Sequence, residues 1–283
     1  MVNLWRCSPV FAALLMVACA PAESTGPSKI SGLKTPESVV AAADGRVFVS
    51  EINGFDKNGD GQISVISPNG KLSVFATGMD DPKGLAMIAD DLYVADKTRV
   101  LKVAPDGSWT VFADTLDFPR TPQFLNDLEP DPQGNLYVSD SGDLSKGGAI
   151  YKINPAGEVS LIIDAERDAR ILAPNGLLMD DTGTVMLQVD FATGVLYRLD
   201  INTGDMVDIA EGFGGGDGLV HTATGDMYVS DWKNGKVFKV DTAGEVHLIK
   251  DGFQASADIA LSADGKHLLV PDMKAGELIW LPI

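Results

Sequence analysis

The chain of 283 residues contains two cysteines, Cys7 and Cys19, and three histidines, His221, His247 and His267. With both cysteines near the N-terminus, the body of the chain can form no internal disulfide, and zinc held by Cys and His is disfavoured. The histidines stand at unrelated positions and no serine lies in a nucleophile-elbow sequence, which disfavours a Ser-His-Asp hydrolase. Positive charge is scarce as well: 22 Lys and Arg against 40 Asp and Glu leave a net charge of -18 with no basic stripe. That balance argues against nucleic acid as a partner and favours cations or neutral substrates.

Long apolar runs are missing too. The stretch from Val10 to Val17 is too short to cross a bilayer as a permanent helix and, with Arg6 before it, reads as a secretory signal. Leu15-Met-Val-Ala-Cys19 resembles the lipobox of bacterial lipoproteins, with Met16 in place of the usual leucine. The expectation is a lipoprotein-type signal peptide over 1–18, an acylated Cys19, a flexible tether over 19–29 and a folded domain over 30–283. The protein is then exported to the periplasm or cell surface of a bacterium, with membrane contact only through the lipid at Cys19.

What the chain has in abundance is repetition. Six segments open with Glu37, Lys83, Asn126, Asn175, Asp217 and Ala257, about 40–50 residues apart. Each runs through an apolar stretch and, in most copies, a glycine turn into a second short β-prone run that ends in an acid: Glu51, Asp96, Asp140, Asp190, Asp231, Asp272. A hairpin follows, as in Ile150–Asn154 leading through Gly157 to Ile162. Four strands in this period predict an all-β, six-bladed propeller. The sixth copy ends at Ile283 after its third strand, while Ser28–Leu33 resembles a fourth strand, so the N-terminal segment is expected to pair with the last blade and close the ring.

In a closed ring the opening residues all face one axis. Glu37, Asn126, Asn175 and Asp217 would then bring two carboxylates and two amide oxygens to the channel mouth, a set suited to one hard divalent cation, calcium above all. Lys83, in the same ring, could pair with an anionic substrate or with Glu37.

The residues Pro36-Glu37-Ser38, Asn126-Asp127-Leu128, Asp131-Pro-Gln-Gly-Asn-Leu-Tyr-Val-Ser-Asp140, Pro174-Asn175-Gly176 and Asp217-Gly218 resemble the senescence marker protein, gluconolactonase and luciferin-regenerating enzyme group of six-bladed propellers. The resemblance spans about residues 33–283. It implies that Glu37, Asn175 and Asp217 ligate one divalent metal, that Asn126 contacts substrate or a metal-bound water, and that Asp217 doubles as general base. The implied activity is hydrolysis of a small-molecule lactone or ester, with Asp217 catalytic and Asn126 and Lys83 binding substrate, in a protein expected to be a monomer. Phe124 stands where sugar lactonases carry arginine, which leaves the substrate open.

Two further patterns stand apart from the ring. One acid at each blade end is expected to bond backbone donors at a turn rather than to form a second metal ring. Asp56-Lys-Asn58-Gly-Asp60-Gly-Gln-Ile63 matches the start of an EF-hand calcium loop, although Ser67 replaces the closing glutamate and strands flank it; a polar hairpin loop is the alternative. The competing function is a non-catalytic propeller like NHL-repeat proteins, binding a protein or glycan on its top face. That alternative has no need for Glu37, Asn175 and Asp217 to converge.

Overall fold

The computed structural model describes residues 27–283; the signal segment, Cys19 and most of the tether lie outside the described residues. Six four-stranded antiparallel sheets follow one another along the chain. Five are consecutive meanders, each built from inner to outer strand. The sixth takes its outer strand from the opposite end of the chain: Lys29–Ser31 pairs with Glu277–Pro282, with Ile30 opposite Leu278. The expected closure is therefore present, and it pairs a strand edge that would otherwise be open. Among the described residues the only helical element is a single 3-10 turn, Thr115–Asp117.

The core lies between blades rather than on the axis. Six apolar clusters each join two neighbouring blades; Phe48, Met79, Leu85 and Leu92 join the first and second, and Leu33, Val49, Leu269 and Leu278 join the sixth and first. Each blade thus buries apolar side chains on both faces, and the axis is left to polar groups.

Inner strands Pro36–Ala41, Pro82–Ile88, Leu125–Pro130, Pro174–Met179 and Gly216–His221 carry Glu37, Lys83, Asn126, Asn175 and Asp217, each as the second residue. One irregularity aims them. In the first blade Pro36 pairs with Glu51 and Val39 with Val49, so Glu37 and Ser38 together face Ser50. The same one-residue bulge recurs between Pro82 and Leu85, Leu125 and Leu128, Pro174 and Leu177, and Gly216 and Leu219. A bulge leaves a backbone group without its ladder partner. Serines of the adjacent strands supply one: Ser50, Ser139 and Ser230 accept from the amides of Ser38, Asp127 and Gly218 at 2.9, 2.9 and 2.7 Å.

Neighbouring inner segments approach so closely at the axis that a side chain cannot fit at three points, Gly84, Gly176 and Gly218. A Cβ on Gly84 would stand 2.4 Å from the carbonyl oxygen of Asn126, and one on Gly176 would stand 2.3 Å from that of Asp217. Glycine at 176 therefore permits the close approach of the strands bearing Asn175 and Asp217.

The blade-end acids have the scaffold role expected of them. Asp96 accepts from the amides of Asp80 and Asp81, Asp190 from Leu172 and Ala173, and Asp272 from Gln254 and Ala255. Each ties down the loop that leads into an inner strand.

Candidate active site

Glu37, Lys83, Asn126, Asn175 and Asp217, all buried in the wall of the channel, form the floor of a cavity of about 500 Å³. Carboxyl oxygen Oε2 of Glu37, amide oxygen Oδ1 of Asn175 and carboxyl oxygen Oδ1 of Asp217 are each buried without a hydrogen-bond partner. Buried polar atoms are normally satisfied, so three orphaned oxygens on one floor call for a donor or a cation. The donor set fits a divalent metal: hard oxygens, two of them from carboxylates.

The electrostatics agree. Burial, reinforced by the charges of Asp217 and Asp258, raises the proton affinity of Glu37 well above the usual carboxyl range, and Lys83 opposes the shift. Burial and the charges of Asp258, Asp127 and Asp231 do the same to Asp217. A cation between the two would relieve both strains.

Lys83 is 1 % exposed, and its ammonium lies 3.1 Å from the Asp81 carbonyl oxygen and 4.1 Å from the centre of the Phe124 ring. Burial lowers its proton affinity, against the pull of Glu37, Asp81 and Asp96. Phe124, at the position of the family arginine, caps this lysine instead of presenting a charge of its own.

Asn126 is oriented by its neighbours. The Ser141 hydroxyl donates to the Pro174 carbonyl at 2.8 Å, so it can only accept from the Asn126 amide nitrogen, at 3.0 Å. The amide oxygen of Asn126 is thereby left for the cavity.

Ala257 opens the sixth blade, whose regular inner strand is only Ala260–Leu261. It adds no polar atom but packs with Ile52, Ala255, Met273 and Trp232 as an apolar wall. Phe55, Leu144 and Phe191 complete the lining, and none of these side chains stood out in the linear sequence. A signal was nevertheless there: Ile52, Phe191, Trp232 and Met273 each directly follow a blade-end acid, and that repeat position is apolar in four blades of six.

The Asp56–Asp60 loop is bound up with lysines. Asp56 and Asn58 both bond the Lys97 ammonium, at 3.2 and 3.1 Å, while Asp60 pairs with Lys57 at 3.0 Å. Asp56 also reaches the rim of the cavity. At the hairpin of the fifth blade, Asp241, Glu245 and His247 bring potential ligand atoms within 4.8 Å of one another, but the group is largely exposed and His247 already bonds Asp241 at 2.9 Å.

A family profile described as SMP-30/Gluconolactonase/LRE-like region matches residues 86–272, which include Asn126, Asn175 and Asp217. A search of curated proteins finds no match. Among solved structures, regucalcin of Agrobacterium tumefaciens strain C58, described as a calcium-binding protein, has a TM-score of 0.71 at 20% identity, over 90% of this chain and 91% of that one. A protein assigned as a gluconolactonase has the same score and identity, over 90% and 92%. A chain of a nidogen/laminin complex scores 0.66 at 20% identity, over 78% and 82%. At this identity these likenesses establish the propeller fold.

Proposed function

The chain belongs to the SMP-30/gluconolactonase/LRE-like family, and from that premise we propose that it is a divalent-metal-dependent hydrolase that opens a lactone or cleaves a small ester at the channel mouth. The observation that carries the reading is the set of three orphaned oxygens on Glu37, Asn175 and Asp217. These residues would hold the cation, with calcium the best match to an all-oxygen donor set. When bound, the metal would supply Lewis acidity toward the substrate carbonyl.

The chain's own groups account for the remaining steps. Asp217 accepts a proton from the attacking water as its oxygen bonds to the carbonyl carbon. The carbon–oxygen ring or ester bond then breaks, and the proton passes from Asp217 to the departing alkoxide. Asn126, held by Ser141, offers its amide oxygen to the water or to a substrate hydroxyl. Lys83, buried under Phe124 beside the ring, offsets part of the negative charge of Glu37.

Thermal unfolding with and without calcium tests the metal site separately from activity. Calcium is expected to raise the melting temperature of the wild-type protein, and Glu37→Gln to lose most of that rise. Lactone hydrolysis should fall at least about 100-fold in Asp217→Asn. Turnover at the wild-type rate in that variant would defeat the mechanism, and a melting temperature indifferent to divalent ions would defeat the site.

A further inference from the structure

The polar floor tells what reaction the cavity can support; its walls tell what kind of molecule can occupy it. Above the ring, the lining is apolar at Ile52, Phe55, Phe124, Leu144, Phe191, Trp232 and Met273, with Asp56 and Lys233 its charged members. The polar groups above the ring already have partners, and Asp56 pairs with the Lys97 ammonium at 3.2 Å. The indole N–H of Trp232 points to the Met273 sulfur at 3.2 Å, and the Lys233 ammonium sits 4.2 Å over the Phe191 ring and bonds the Phe191 carbonyl at 2.9 Å. Phe124 covers Lys83. A polyhydroxylated body would lose its water here and gain few partners in return.

The apolar surface also continues outward. A second hollow of about 460 Å³ shares Phe55, Trp232 and Met273 with the first and runs on past Leu33, Thr35 and Lys274, whose ammonium sits 4.1 Å over the Trp232 ring. Two side chains at the mouth remain exposed despite their apolar character, Phe55 at 51% and Leu144 at 39%. Leu144 is the more telling. Its φ of 67° lies in the left-handed region, where glycine is the unstrained choice and leucine is disfavoured. The turn that holds it, with the Leu144 amide donating to the Ser141 carbonyl at 2.9 Å, sets this apolar side chain at the rim of the cavity.

Resting on the hydrolase reading, we propose that the substrate is a lactone or carboxylic ester with an apolar alkyl or aryl body. Its carbonyl lies at the ring of Glu37, Asn126, Asn175 and Asp217, and its body extends along Phe191, Trp232 and Phe55 into the second hollow.

A series of δ-lactones with alkyl side chains of increasing length, set against D-glucono-1,5-lactone, tests this. The matching alkyl δ-lactams, which resist hydrolysis, report binding through tryptophan fluorescence. With calcium present, kcat/KM is expected to rise about fourfold for each added methylene until the second hollow is filled. The sugar lactone should fall at least about 100-fold below the best alkyl lactone. Phe55→Ala, at an exposed side chain shared by both hollows, should flatten the dependence on chain length with little change in melting temperature, which a purely structural phenylalanine would not do. Trp232→Ala should flatten it as well.

A flat alkyl series, or faster turnover of the sugar lactone, would overturn the apolar assignment and leave the hydrolase reading standing. Tight, length-dependent binding of the lactams without hydrolysis of any lactone would do the reverse. Neither binding nor turnover across the series would remove both.

Discussion

Asp217 shows the conflict between folding and function most directly. Its carboxyl is buried among Asp258, Asp127 and Asp231, an arrangement that costs stability whenever no cation is bound. Asn keeps the shape and removes the charge. With chelator at neutral pH, Asp217→Asn is expected to be more stable than wild type by about 1–3 kcal/mol. Differential scanning calorimetry should show a melting temperature higher by several degrees and little response to calcium. Lys83 is the converse case: it was legible as a charge in the ring, but its cap of Phe124 was not, because the two residues come from different blades.

At the scale of the element, the repeated unit is a bulged inner strand whose loop is pinned by the acid ending the next strand. Asp190, fully buried, accepts from Leu172 and Ala173 through one oxygen and from Ala192 and Thr193 through the other. Asp190→Ala would strand four amides at once. At about 1–3 kcal/mol for each buried donor left unpaired, less whatever water can reach, a loss of about 3 kcal/mol or more is expected in chemical denaturation. Asp190→Asn, which keeps one acceptor oxygen, should fall between. These acids were readable because the sequence repeats them in every blade. The bulges were not, since a register shift is a relation between two strands and leaves no mark in either one alone.

At the scale of the whole molecule, the channel has a second, lower mouth where Asp127, Glu129 and Asp258 line a smaller cavity with His221 at its rim. Burial, with the charge of Asp258 adding to it, raises Glu129 to about 8 even though the Met179 amide donates to it at 2.9 Å. Asp258 is raised to about 7, mainly by burial. Between the ordinary carboxyl range and these values, the folded protein keeps protons that the unfolded chain has released. Stability from this region is therefore full at low pH and is lost as pH rises toward about 8. Glu129→Gln should flatten part of that fall. Urea melts at pH 5 and pH 8 should show the variant gaining on wild type by about 1–3 kcal/mol at the higher pH, after allowance for its solvent-facing end.

Taken as a whole molecule, the propeller and much of its floor were already determined by the sequence. The period, the acid ending each second strand and the incomplete sixth copy imply a closed ring, and closure places Glu37, Lys83, Asn126, Asn175 and Asp217 at one repeat position. Repetition makes such features visible because every blade meets the same physical demands. The tertiary structure alone decided how the inner strands approach at Gly84 and Gly176, which oxygens are left without partners, and how Phe55, Leu144, Phe191 and Trp232 join into one wall. Those residues sit in loops of four different blades, and although Phe191 and Trp232 share a repeat position, only packing in three dimensions brings the four apolar surfaces together.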